Sequence, residues 1–141
     1  MTTTIVVGCG ATKAPYPATV RYLYTGRMFL LARRAADADG RPWVVLSALH
    51  GFLTPDEVVA PYDYTVTTAA DHDRLVQTIQ ATAHKVVGPV EAWCPDRYVS
   101  AIHAAGIAVA AQPLRGLGVG HQRTWLASHI RANTPSLWSI T

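Results

Sequence analysis

Thr4-Ile5-Val6-Val7-Gly8-Cys9-Gly10-Ala11-Thr12-Lys13 is the stretch on which the fold turns. Its first half is β-branched and apolar without polar alternation, the pattern of a strand covered on both faces. It ends in two glycines and a lysine. Such a turn can bring backbone amides and a cation against an anion. It is not a Walker loop, because no glycine precedes Lys13 and Ala14 follows it. It is not a dinucleotide fingerprint either, because the third glycine is missing. A tight turn with a solvated lysine accounts for the same residues. Cys9 reads as a small buried residue, since only Lys13 nearby would favour its thiolate.

Three more apolar runs extend this reading along the chain. Residues 41–47, with Pro42 at the first position of the strand, 90–94 and 107–111 read as strands. Between them, residues 25–38, 69–87, 96–105 and 120–132 place apolar side chains at helical spacing. Thr68 and Asp71 stand three apart ahead of the second helix, a capping-box signal, and Gly88-Pro89 ends it. Strands alternating with helices predict an α/β fold. The expected architecture is three-layer α/β/α around a four-stranded, mostly parallel sheet, as one domain over residues 1–141. The tail at 134–138 either docks through its apolar residues or frays.

Composition excludes several classes. Half of the 141 residues are apolar and 15% are charged, which rules out intrinsic disorder. No apolar run approaches the roughly 18 residues of a membrane span. The amino terminus has no basic flank or cleavage pattern, and two cysteines make no disulfide framework. A cytoplasmic protein with reduced thiols and no membrane partner is expected. The net charge is +3, with Arg supplying all basic residues except Lys13 and Lys85. That balance permits a nucleic-acid partner without demanding one.

Ligands of open α/β sheets bind at the strand carboxyl ends, so the segments after the strands are the candidates for chemistry. The densest is LSALHGFLTPDEVVAPYDYT at 46–65, with Ser47, His50, Phe52, Asp56, Tyr62 and Asp63. His50, before Gly51, is a candidate acid or base. His50 and Asp63 form a dyad or merely brace the loop. Asp96 reads as an N-cap of its helix. In the segment 112–123, Gly116, Gly118 and Gly120 lead into a helix, an arrangement able to present amides to a phosphate. Arg115, His121 and Arg123 add positive character there. No His-x-x-x-His or Cys-x-x-Cys spacing occurs, so neither metal nor other cofactor is expected.

GCGATK at 8–13, LYTGRMF at 23–29, LSALHGFLTPDEVVAPYDYT at 46–65 and PLRGLGVGHQRTWL at 113–126 together resemble a bacterial and phage family of unknown function (DUF6884). That family shows a Ser/Gly-Cys-x-x-x-Lys strand end, a Leu-Tyr-Thr-Ser/Gly-x-x-Phe segment, a Leu-Ser-Ala-x-His/Tyr-Gly loop running to Pro-Tyr-Asp, and a closing Gly-x-Gly with Trp-Leu. The likeness spans nearly the whole chain. More distantly, the Leu-Ser-Ala-Leu-His-Gly and Pro-Tyr elements are similar to the peroxide-stress DNA-binding family and the central domain of archaeosine synthase. This likeness implies a uracil-DNA-glycosylase-like fold and a link to modified or damaged nucleobases. The loop Ala11-Thr12-Lys13 lacks the additional lysines common in relatives.

The expected function is therefore an enzyme acting on a nucleobase or nucleoside in DNA or RNA, by N-glycosidic cleavage or base exchange. Asp63 is the expected catalytic carboxylate, Asp56 the second choice, and His50 the donor to the departing base. Tyr24, Phe52 and Tyr62 would stack on the base. Cys9, Lys13, Thr25, Ser47, Arg115, Gly116, Gly118 and His121 complete the expected binding set. The alternatives are a non-catalytic nucleic-acid-binding protein and a nucleotide-binding subunit of a larger complex. The small domain implies that a homodimer or protein partner completes the site.

Overall fold

A computed structural model describes residues 2–134. In chain order the elements are β1 (Thr4–Gly8), β2 (Ala18–Thr19), α1 (Val20–Leu23), α2 (Arg27–Asp39), β3 (Trp43–Ser47), β4 (Gly51–Leu53), β5 (Val58–Val59), α3 (Ala69–Thr82), β6 (Val90–Trp93), α4 (Asp96–Ala104), β7 (Val109–Ala111) and α5 (Val119–Asn133). The tail expected to dock or fray lies outside the described residues beyond Thr134.

β1 runs through the middle of the main sheet, whose order is β4-β3-β1-β6-β7. It pairs in parallel with β3 on one side and β6 on the other. Ile5, Val6 and Val7 are almost completely buried, as a strand covered on both faces must be. Ile5, Val7, Val45 and Trp93 pack on one face with Phe29, Ala32, Ala35 and Ala36 of α2 and Leu126 of α5. Val6, Val44, Leu46 and Val90 pack on the other with Leu75 and Ile79 of α3 and Tyr98, Ala101 and Ile102 of α4. Each fully buried aliphatic side chain contributes roughly 1.5–3 kcal/mol, so these two layers hold the sheet. Among the described residues, no helix is long and apolar enough to cross a membrane.

The main sheet has five strands where the sequence predicts four. The additional strand, β4, is antiparallel to β3, with Ser47 opposite Gly51 and Leu46 opposite Phe52. Its hairpin hides inside the segment read as loop because the turn is a side-chain turn. Ser47 Oγ accepts the backbone N–H of Leu49 at 3.2 Å and of His50 at 3.1 Å. Gly51 then takes φ +71°, and a Cβ there would come within 2.9 Å of the Thr78 carbonyl oxygen, so only glycine fits. A two-stranded ribbon of β2 and β5 spans the same region outside the main sheet. The capping box of α3 is present: Thr68 accepts from the Asp71 N–H, and the Asp71 carboxylate accepts from the Thr68 N–H.

Candidate functional site

The connection from β1 runs toward β3 and the connection from its neighbour β6 runs the opposite way, toward β7. A crevice at the carboxyl ends is the geometric consequence of that reversal. A cavity of about 580 Å³ occupies it. Gly8, Cys9, Gly10, Ala11 and Thr12 after β1 form one wall, and Cys94, Pro95 and Asp96 after β6 form another. The first turn of α2, the 114–117 loop and Gln122, Arg123 and Leu126 of α5 close the rest. The volume lies within the range of small-molecule sites, about 300–1,000 Å³.

The electrostatics of this crevice favour an anion. Arg27, Arg115 and Arg123 line it, all exposed, and none forms an ion pair with a described residue. Asp96 is the lone carboxylate among the lining residues. The starts of α2 and α4, at Gly26 and Pro95, carry no side-chain cap, so their orphan N–H groups remain available. By contrast, α3 is capped by its own Thr68 and Asp71 and does not reach the cavity. Met28, Leu114 and Leu117 add apolar wall between the charged groups.

A second polar cluster lies beside the crevice. Ser47 Oγ stands 2.6 Å from the Tyr62 hydroxyl, which stands 2.5 Å from the Tyr24 hydroxyl. Ser47 already accepts two backbone N–H groups, so its own proton goes to Tyr62. Burial raises both phenols, Tyr62 to about 12 and Tyr24 further still. Both therefore stay protonated at neutral pH and act as donors, not bases. Lys13 Nζ sits 4.4 Å from the Tyr62 ring centre, and His50 packs edge-on against Tyr62 at 5.0 Å. Burial lowers the His50 pKa, which favours its neutral imidazole. Cys9 lines the cavity, and its Sγ is 3.6 Å from the Tyr98 hydroxyl of α4. Burial pushes the neighbouring Cys94 thiol up to about 12, which disfavours its thiolate.

The expected site residues separate into three groups. Cys9, Arg115 and Gly116 line the crevice. Lys13, Tyr24, Ser47, Tyr62 and His50 form the adjoining hydroxyl cluster. The others stand apart from both. Asp63 is exposed and makes no hydrogen bond with a described residue. Asp56 is exposed and pairs at 3.4 Å with Arg21. Phe52 is fully buried in the α3/α4 layer and offers no face to a base. Thr25, Gly118 and His121 are exposed and do not line the cavity, although the Thr25 N–H pins the first loop by donating to the Thr12 carbonyl at 3.0 Å. Of the glycines in the last loop, Gly116 takes a positive φ, whereas Gly118 is the N-cap of α5 with an ordinary backbone.

Arg27, Asp96 and Gln122 are lining residues absent from the expected set. Asp96 is not the N-cap: Pro95 holds that place, and Asp96 is the first residue of α4. Its position directly after a parallel strand was the available signal. Arg27 carries no such signal, because it opens α2, which follows α1 and not a strand of the main sheet. No group of three or more metal-ligating side chains gathers among the described residues.

A family of unknown function (DUF6884) matches residues 4–128, a span that contains every wall of the crevice. No curated protein and no solved structure matches the chain.

Proposed function

Because the chain belongs to that family, whose function is unknown, we propose its activity from the crevice: it is an enzyme that binds a nucleotide there and acts at the N-glycosidic bond. One observation carries this reading. Three arginines without an ion-pair partner among the described residues, uncapped helix starts, an apolar wall and a single lining carboxylate converge on one cavity at the strand reversal. A nucleotide asks for that combination of an anion cradle, a slot for the base and a carboxylate near the sugar.

In this reading Arg27, Arg115, Arg123 and the amides at the start of α2 hold phosphate. Met28, Leu114 and Leu117 flank the base. Asp96 orients water and stabilises the positive charge that develops at the sugar as the bond to the base breaks, the role carboxylates play in glycoside hydrolysis. The hydroxyl cluster of Ser47, Tyr62 and Tyr24 holds the wall of the site in register. The likeness to the peroxide-stress family and to the central domain of archaeosine synthase, with its implied glycosylase-like fold, supports a nucleobase as the target. Asp63 and His50 are the competing assignments drawn from sequence.

The test is mass spectrometry of nucleoside 5′-monophosphates and of DNA and RNA, modified and unmodified, after incubation with the protein. Free base released by the wild type and lost in Asp96→Asn supports the reading. Full release by Asp96→Asn removes Asp96 from the chemistry, and loss in Asp63→Asn instead restores the assignment made from sequence. A second reading, a non-catalytic nucleotide-binding subunit, draws on the absence of histidine among the lining residues. It predicts tight nucleotide binding with no released base.

A further inference from the structure

A shallower groove of about 320 Å³ adjoins the crevice, lined by Arg27, Leu30, Leu31, Arg34 and Arg123. Arg27 and Arg123 line both, so the two spaces are neighbours that share those side chains. Arg27, Leu31 and Arg34 fall at i, i+4 and i+7 of α2 and form one stripe. The two arginine positions are about 10 Å apart along the helix axis. Arg27, Arg34 and Arg123 are all exposed, and none forms an ion pair with a described residue. Their neighbour Arg33 differs. Its guanidinium donates to the Arg21 carbonyl at 2.8 Å and covers the Tyr22 ring. No acidic residue lines the groove.

We propose that this groove is a track for a single-stranded nucleic acid, and that the nucleotide in the crevice is one residue of that strand. The inference rests on the nucleotide reading of the crevice and names its substrate class. A free nucleotide has no use for cations spread two helical turns beyond the cavity. A strand places its flanking phosphates there at regular intervals, and Leu30 and Leu31 offer its sugars or bases an apolar floor. The target nucleotide must leave its stack to enter the crevice, which an unpaired strand permits at low cost.

Fluorescence anisotropy tests this with a short single-stranded oligonucleotide and with the matching nucleoside 5′-monophosphate, each over a range of salt concentrations. Arg34 lies in the groove and outside the crevice. Arg34→Gln is expected to weaken oligonucleotide binding on the order of tenfold and to flatten the log–log salt dependence by about 0.7. Mononucleotide binding should stay unchanged in that variant, while Arg115→Gln weakens both. Oligonucleotide affinity and salt slope in Arg34→Gln equal to the wild type would overturn the track. Failure of the wild type to bind the mononucleotide would instead overturn the nucleotide reading of the crevice itself.

Discussion

The two ends of the sheet use the same residue types in opposite ways. At the amino end, Arg41 donates to Asp39 at 2.7 Å and to Glu91 at 3.3 Å. The other Asp39 oxygen stands 2.7 Å from His129 Nε2, whose ring stacks on Trp125 at 4.7 Å. Glu91 also accepts from the Trp93 indole at 2.8 Å. Every charge there has a partner, and the network ties α5 and the end of α2 to the sheet. At the carboxyl end, Arg27, Arg115 and Arg123 face a cavity with no ion-pair partner among the described residues. Paired charge in a partly buried cluster supports the fold, whereas unpaired charge around a cavity waits for a ligand. The contrast teaches which arginines to read as structure and which as site, a distinction invisible in composition.

That comparison can be broken in four places. The largest effect is expected from Asp96→Asn, which should lower turnover by roughly a thousandfold, about 4 kcal/mol of barrier, with the melting temperature unmoved. Activity and thermal melts on the same preparation check both halves. Next, Asp39→Ala should cost about 3 kcal/mol of folding stability, because it leaves Arg41 and His129 without their shared partner. Nucleotide affinity of the folded protein should survive, as urea melts and calorimetry would reveal. A smaller effect, about 1.4 kcal/mol or tenfold in affinity, is expected for Arg115→Ala, with stability within about 0.5 kcal/mol of the wild type. If Arg115→Ala melts early instead, the carboxyl end is structural after all.

The mildest expectation concerns acid. Arg41 above all, and then His129, hold the Asp39 carboxylate well below its ordinary range, against the opposing effect of burial. An unfolded Asp titrates near about 3.9. Asp39 therefore binds protons more readily unfolded than folded, and its contribution to stability is fully present above that value. It is lost as pH falls from about 4 toward the lower folded value. Melting temperatures followed downward from pH 5 should drop more steeply for the wild type than for Asp39→Asn. Parallel slopes would show that the amino-end network contributes little.

Much of the fold was legible because periodicity is local. The buried run at Ile5–Val7, the helical spacing of Leu75 and Ile79, and the capping box of Thr68 and Asp71 are all written in neighbouring residues. β4 was missed because three residues are too few for a pattern, although a glycine shortly after a strand and before Phe52-Leu53 is a hairpin signal. The site was half legible. The Cys9 and Arg115 loops follow strands, where an α/β sheet puts its ligands. Asp63 and His50 drew attention because their segment is rich in polar residues. Much of that richness serves the hairpin and the hydroxyl cluster, as Ser47 shows by turning the chain and bonding to Tyr62.

By itself, the sequence determined the class of fold, the central strand and its glycine-bearing turn. Those depend on hydrophobic period and turn chemistry, which act over a few residues. Only the tertiary structure decided which charges are paired. Arg41 meets Glu91 fifty positions away, and Arg27, Asp96 and Arg123 meet around one cavity from three separate helices. Coulombic and hydrogen-bonding partners are set by distance in space, and the pairing of β3 and β6 on either side of β1 is what brings those residues within reach.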